Sequence, residues 1–164
     1  KMTGRKPRGY RAPVYSLTPK MVARLIEHEF LYDSSMMADD LPYLVETSKG
    51  SLIELPPHWG TDDWPPFAHF GEIDYLMPVR APSDGIRAFA EEFEAMLDEG
   101  GFWMPVLHPF LTGRVARWRE MERLIERALS TDEVWFAPME EIAGHAAGMK
   151  DKLRREIIGT AEES

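Results

Sequence analysis

The sequence predicts an α/β fold, on three observations. Amphipathic helical patterns alternate with short apolar runs along most of its length, which argues against a helix bundle or an all-β sandwich. With 44% hydrophobic residues in 164, the chain can bury one sizeable core, so one domain is expected. Third, the run Phe102-Trp103-Met104-Pro105-Val106-Leu107-His108-Pro109 is too short and too interrupted for a helix. It reads as a buried strand that delivers one imidazole at its carboxyl end. In parallel sheets, ligand-facing groups sit at such strand ends, and a histidine there can donate or accept a proton near neutral pH. The other reading of His108 is a core histidine satisfied by a backbone carbonyl.

Residues 4–19 hold too much Pro and Gly for a regular element, yet they carry Arg8 and Arg11 beside Tyr10 and Tyr15. Arg11 has a planar fork that can hold a carboxylate, and Pro13 stiffens the backbone after it; a solvated basic turn is the plainer alternative. Thr18-Pro19 supplies a cap and a proline at the first helical position, with Met21, Val22, Leu25 and Ile26 on one face of a helix over about 19–29. Phe30-Leu31-Tyr32 then reads as a strand ending at Asp33-Ser34-Ser35, where Asp33 either reaches a pocket or caps its own turn. Leu52-Ile53-Glu54-Leu55 is a short strand stopped by Pro56-Pro57. The segment His58-Trp59 to Phe70, with Asp62, Asp63 and Trp64, is an aromatic loop suited to the floor of a pocket for a sugar or other polar ring. Its histidines lack the His-x-His or His-x-x-x-His spacing of a metal site.

A helix from Ser83 buries Ile86, Phe89, Ala90, Phe93, Met96 and Leu97 and stops at Gly100-Gly101. After the His108 strand, another helix is expected to bury Val115, Trp118, Ile125 and Leu129. Val134-Trp135-Phe136 reads as a last strand, and Pro138 opens a helix through Ala146. The expected domain covers 1–147, and 148–164 is a charged helix or frayed tail.

A net charge of −9 argues against a nucleic-acid or anionic-membrane surface, despite the basic cluster Lys1, Arg5, Lys6, Arg8 and Arg11. Without cysteine there are no disulfides and no thiolate metal sites. No signal peptide or spanning helix is visible, so a cytoplasmic location is the expectation.

Three stretches, taken in order, resemble motifs of the polysaccharide deacetylase family, also called NodB-like or carbohydrate esterase family 4. Gly9-Tyr10-Arg11-Ala12-Pro13 is similar to its Arg-x-Pro motif, Tyr32-Asp33-Ser34-Ser35 falls where its Asp-containing fourth motif is expected, and Leu107-His108-Pro109 is similar to its Leu-x-x-His-Pro motif. With Glu-Leu-Pro-x-x-Trp followed by Asp62-Asp63, and His-Pro-x-x-x-Gly-Arg, the wording resembles the branch of bacterial peptidoglycan deacetylase-like proteins and metal-independent allantoinase-like or cyclic imide hydrolases. The resemblance covers about residues 4–147. It departs at Pro105, where the family has Leu, and in lacking the Asp-Asp and His-x-x-x-His motifs that supply the base and the metal ligands.

The resemblance implies the carboxyl-side portion of a deformed (β/α) barrel, with the missing motifs upstream of Lys1. It implies an amide hydrolase acting on an acetylated amino-sugar polymer, with a metal-free ring-opening amidohydrolase or a non-catalytic complementing module as alternatives. His108 would be the general acid and Arg11 the orienter of the absent catalytic aspartate. Asp33, chosen over Asp39, Asp40, Asp62 and Asp63, would hold the histidine. Tyr10, Trp59, Asp62, Asp63 and Trp64 would contact substrate. A zinc-like divalent metal belongs to the complete enzyme, with no ligands in this chain, which alone is expected to be inactive. Its uncovered edges imply a partner half or a homo-oligomer.

Overall fold

In the computed structural model, which describes residues 4–159, the Thr18 hydroxyl accepts from the Met21 amide at 3.3 Å and Pro19 takes the first helical position. The first long helix therefore starts where its cap chemistry requires. In chain order the elements are β1 (Gly9–Tyr10), α1 (Pro19–Glu27), β2 (Tyr32–Asp33), β3 (Tyr43–Thr47), β4 (Gly50–Glu54), α2 (Trp64–Phe67), α3 (Pro82–Glu99), α4 (Pro109–Thr112), α5 (Val115–Leu129), α6 (Met139–Gly148) and β5 (Arg155–Ile157). The mixed α/β content agrees with expectation. The described residues form two compact units, one of residues 4–56 with 136–159, the other Pro57–Trp135.

The first unit is built on a five-stranded sheet in the order β1-β2-β4-β3-β5. Pairing is parallel through β1, β2 and β4, antiparallel between β4 and β3, and parallel again between β3 and β5. Val22 and Leu25 of α1 pack with Tyr43, Val45 and Leu52, each burial contributing roughly 1.5–3 kcal/mol. Strand β3 adds to the expected elements; its sequence signal is the pair Tyr43-Leu-Val and Leu52-Ile flanking a tight Ser48-Lys49 connection, the usual mark of a hairpin. The end of the chain also differs from expectation. Residues 155–157 extend along the free edge of β3 instead of forming a helix or tail, because that edge offers unpaired groups: the Leu44 amide donates to Arg154 O at 2.9 Å and the Ile158 amide to Glu46 O at 2.9 Å. An Arg155–Glu46 ion pair at 2.7 Å accompanies the ladder. Residues 160–164, and Lys1 of the basic cluster, lie outside the described residues. Val134-Trp135-Phe136 is not a strand; it joins no ladder, and Trp135 and Phe136 are about half exposed.

In the second unit α3 and α5 enclose the core, with Phe89, Phe93 and Ile86 against Met121, Leu124 and Ala128, and Phe67 and Leu111 beside them. Helix α3 ends at Gly100 in the left-handed region, φ 65°, where the Gly101 amide reaches back to Met96 O at 2.7 Å. The buried face of α5 is not the expected one: Val115 is 71% and Leu129 62% exposed, and Trp118 is also exposed. Met121, Leu124, Ile125 and Ala128 make the stripe that meets α3, and at about 100° per residue positions 115, 118 and 129 lie round the helix from it.

The run to His108 is extended but is not a regular strand. It makes one parallel bridge, Val106 with Asp62, through Val106 N to Thr61 O at 2.7 Å and Asp63 N to Val106 O at 3.0 Å. Pro105 has no amide with which to continue the ladder. Among the described residues no helix is long and apolar enough to cross a membrane.

A candidate acid–base site

That single bridge brings Asp63 against His108. Asp63 is fully buried, and its Oδ1 lies 2.6 Å from His108 Nδ1. Its Oδ2 accepts the His108 amide at 2.9 Å and the Thr112 hydroxyl. One carboxylate thus holds the ring, the backbone and the following turn. Asp62, also buried, accepts the Trp64 amide on Oδ1 at 2.7 Å, an Asx turn that starts α2. Pro109 occupies the first position of α4, and Gly113 closes that turn so tightly that a Cβ there would meet Pro109 O at 2.1 Å.

The imidazole, 32% exposed, stands edge-on to Trp64 at 5.4 Å and to Phe110 at 5.7 Å between centroids, and those two rings lie 6.3 Å from each other. Phe70 and Tyr75 back Trp64 at 5.1 and 6.1 Å. A carboxylate on Nδ1 fixes the proton there, so Nε2 is left as the nitrogen that exchanges a proton with a ligand.

Asp62, Asp63 and His108 bring possible ligand atoms within 4.8 Å of one another, the group among the described residues with the composition to hold a cation. The donor set does not suit one. Both Asp63 oxygens already accept donors, and His108 Nδ1 carries the proton it shares with Asp63. The metal that the sequence resemblance implies is not accommodated by these residues.

In the first unit the sheet register sets Tyr10, Asp33, Glu54 and Tyr43 side by side across four strands. The Arg11 guanidinium reaches the following turn, Nε donating to Ser34 O at 2.9 Å and Nη2 to Ser34 Oγ at 2.6 Å. Ser34 Oγ in turn donates to Leu55 O at 2.7 Å. The neighbouring Ala12 amide donates to Ser35 Oγ at 2.8 Å, and that hydroxyl donates to Asp33 Oδ1 at 3.1 Å. Just beyond, Val14 and Tyr15 sit in the left-handed region at φ 49° and 57°, strained for a β-branched and an aromatic residue. Asp33 and Glu54 are fully buried. Burial raises the Asp33 carboxyl above its usual range, and burial followed by the charge of Asp33 pushes Glu54 up to about 9. Burial likewise raises the Tyr43 hydroxyl.

The partner of His108 is therefore Asp63, not Asp33, which faces Glu54 across β2 and β4 and bonds Ser35. Asp62 and Asp63, expected to contact substrate, are buried and turned to protein donors. Trp59 is half exposed, Trp64 flanks the imidazole, and Tyr10 packs edge-on to Phe30 at 6.3 Å. Glu54 is the residue that the sequence reading misses; its signal is a carboxylate in the inward phase of Leu-Ile-Glu-Leu.

No family model matches the chain. The chain is 24% identical over 168 residues to a peptidoglycan deacetylase of Helicobacter pylori, covering 87% of this chain and 57% of that protein. Among solved structures, a chain from Mycobacterium smegmatis described as a polysaccharide deacetylase superposes with TM-score 0.85 at 35% identity, over 94% of this chain and 54% of its own. The Puue allantoinase superposes with TM-score 0.73 at 26% identity, over 90% of this chain and 48% of its own. The chain thus spans about half the length of these relatives. These likenesses agree with the α/β, NodB-type (β/α) barrel class expected from the motifs. In its motifs, its relatives and its fold, the chain is similar to the polysaccharide deacetylases.

Proposed function

We propose that this chain serves the hydrolysis of an amide bond, the removal of acetyl groups from an amino-sugar polymer, with His108 as the general acid. The observation that carries the reading is the His108–Asp63 pair: a fully buried carboxylate at 2.6 Å from Nδ1 that also grips the histidine backbone. Collapse of the tetrahedral intermediate expels an amine only once its nitrogen is protonated. Nε2 carries that proton, while Asp63 keeps the ring from turning away. Trp64 and Phe110 pack against each other beside the imidazole and limit the water that reaches it from there, and Trp59 offers a half-exposed aromatic wall. Arg11, fixed by Ser34, orients a carboxylate base that comes from outside the described residues, as do the ligands of any metal. A missing half or a second copy of the chain would complete the site.

A ring-opening amidohydrolase is the second reading, favoured by the likeness to the allantoinase. Acetate release from N-acetylglucosamine oligomers by the full-length protein, set beside ring opening of allantoin and of a cyclic imide, separates the two. Turnover of the oligomer alone, lost in His108→Ala, is the expected result. Ring opening without acetate release would transfer the assignment to the second reading, and turnover of neither would overturn both.

A further inference from the structure

We infer that Asp33 and Glu54 share one proton between their carboxyl groups, and that this bridge holds the turn from which Arg11 is fixed, making Glu54 a positioning residue. The inference rests on the role proposed above for Arg11. The two residues are paired in register on the adjacent parallel strands β2 and β4, and both are fully buried. One oxygen of each is committed: Asp33 Oδ1 accepts the Ser35 hydroxyl at 3.1 Å, and Glu54 Oε1 accepts the Ser35 and Met36 amides at 2.8 and 2.9 Å. The other two, Asp33 Oδ2 and Glu54 Oε2, meet no donor from any other group among the described residues. The parallel register sets the two side chains next to each other on the same face of the sheet, so a single proton between the carboxyl groups can serve both orphaned oxygens.

Among the described residues no donor meets either orphaned oxygen in place of that proton. Tyr10 flanks Asp33 on one side and Tyr43 flanks Glu54 on the other, with Arg154 lying 5.7 Å over the Tyr43 ring and Glu156 behind it. Helices α1 and α6 pack on β4, where Arg24 of α1 pairs with Glu27 and Glu140 of α6 pairs with Arg8. Two like charges this close, buried and without a counterion, do not both ionise, and the upward displacement of both groups by burial agrees. The consequence reaches Arg11 through two short paths. Glu54 fixes the Ser35 and Met36 amides, which places the Ser34 carbonyl and hydroxyl that hold the guanidinium. Asp33 fixes the Ser35 hydroxyl that holds the Ala12 amide, next to Arg11 in the chain.

The test has two readouts. In protein labelled with ¹³C-glutamate, one side-chain carboxyl carbon should still resonate as a protonated acid at pH 7, and Glu54→Gln should remove that signal. This titration requires no turnover, so it stands or falls separately from the amide-hydrolase reading. A Glu54 carboxyl that titrates as an ordinary exposed glutamate overturns the shared proton. In the activity arm, Glu54→Ala should lower kcat roughly 10²-fold with little change in KM, and Glu54→Gln, which restores a donor to Asp33, should recover most of it. If the alanine variant fails to fold, Glu54→Leu replaces it. Wild-type kcat in a folded variant without the carboxyl overturns the positioning role.

Discussion

Replacing Asp63 with Asn keeps the shape of the buried group but converts one acceptor into a donor, and either orientation of the new amide creates a conflict. With the amide nitrogen at the Oδ1 position, it confronts the proton on His108 Nδ1 at 2.6 Å; the ring can answer only by taking the other neutral tautomer, with its proton on Nε2. With the nitrogen at the Oδ2 position, it confronts the His108 amide at 2.9 Å, which is then left without an acceptor. The Thr112 hydroxyl can rotate to accept in the second case, so the His108 amide is the donor orphaned there, whereas the first case costs the change of tautomer; an orphaned donor sets the larger loss. That is worth about 1–3 kcal/mol of stability. Asp63→Ala orphans all three donors, leaves a cavity, and should cost about 3–5 kcal/mol. Urea unfolding followed by tryptophan fluorescence measures both losses, and ¹⁵N spectra of the imidazole identify the tautomer. In activity, Asp63→Asn should lower kcat by about 10²–10⁴-fold, since the acid no longer presents its proton correctly. An asparagine variant with unchanged stability, tautomer and kcat would show that Asp63 does not organise His108.

Stability should fall as pH rises across the range where Glu54 is protonated only in the fold. Its folded value near 9 lies above the ordinary 4.5, so the folded state binds the proton more tightly; this contribution is complete below about pH 4.5 and is lost toward pH 9. The slope from this group is up to about 1.4 kcal/mol per pH unit, and urea midpoints between pH 5 and 8 should flatten in Glu54→Gln. Phe89→Ala removes a ring buried completely between α3 and α5 and should cost about 3–5 kcal/mol by the same assay. Gly113→Ala drives a Cβ into the backbone oxygen of Pro109, so it should lower both the melting temperature and kcat by displacing the turn that carries His108. Arg11→Lys keeps the charge but cannot reproduce the Nε and Nη2 bonds to Ser34, so kcat should drop despite the conservative change.

The parts legible in the sequence are those written in local chemistry. Thr18-Pro19 and Gly100 mark the helix ends because capping involves only neighbouring groups, and the Ile86, Phe89, Phe93 stripe is a matter of period. The His108 loop is recognisable from its proline and glycine. The features that escape a sequence reading depend on register and partners. The α5 pattern holds apolar residues on more than one face, and only the packed α3 decides which is covered. Five aspartates are candidates for His108, and the choice is made by a single bridge between residues 62 and 106, which no local pattern announces. Glu54 is hidden for the same reason: a carboxylate in an apolar run is legible as inward-facing, but not as the neighbour of Asp33 until β2 and β4 pair.

The central claim, that His108 delivers a proton to the leaving amine, is tested most directly by varying the leaving group. An acetylated amine needs that proton to depart, whereas an acetyl ester of an activated phenol leaves as a stable anion without it. His108→Ala in the full-length protein should lose about 10²–10⁴-fold in kcat/KM on the amide and far less on the aryl ester. Equal losses on both substrates would contradict the assignment and return His108 to a structural role.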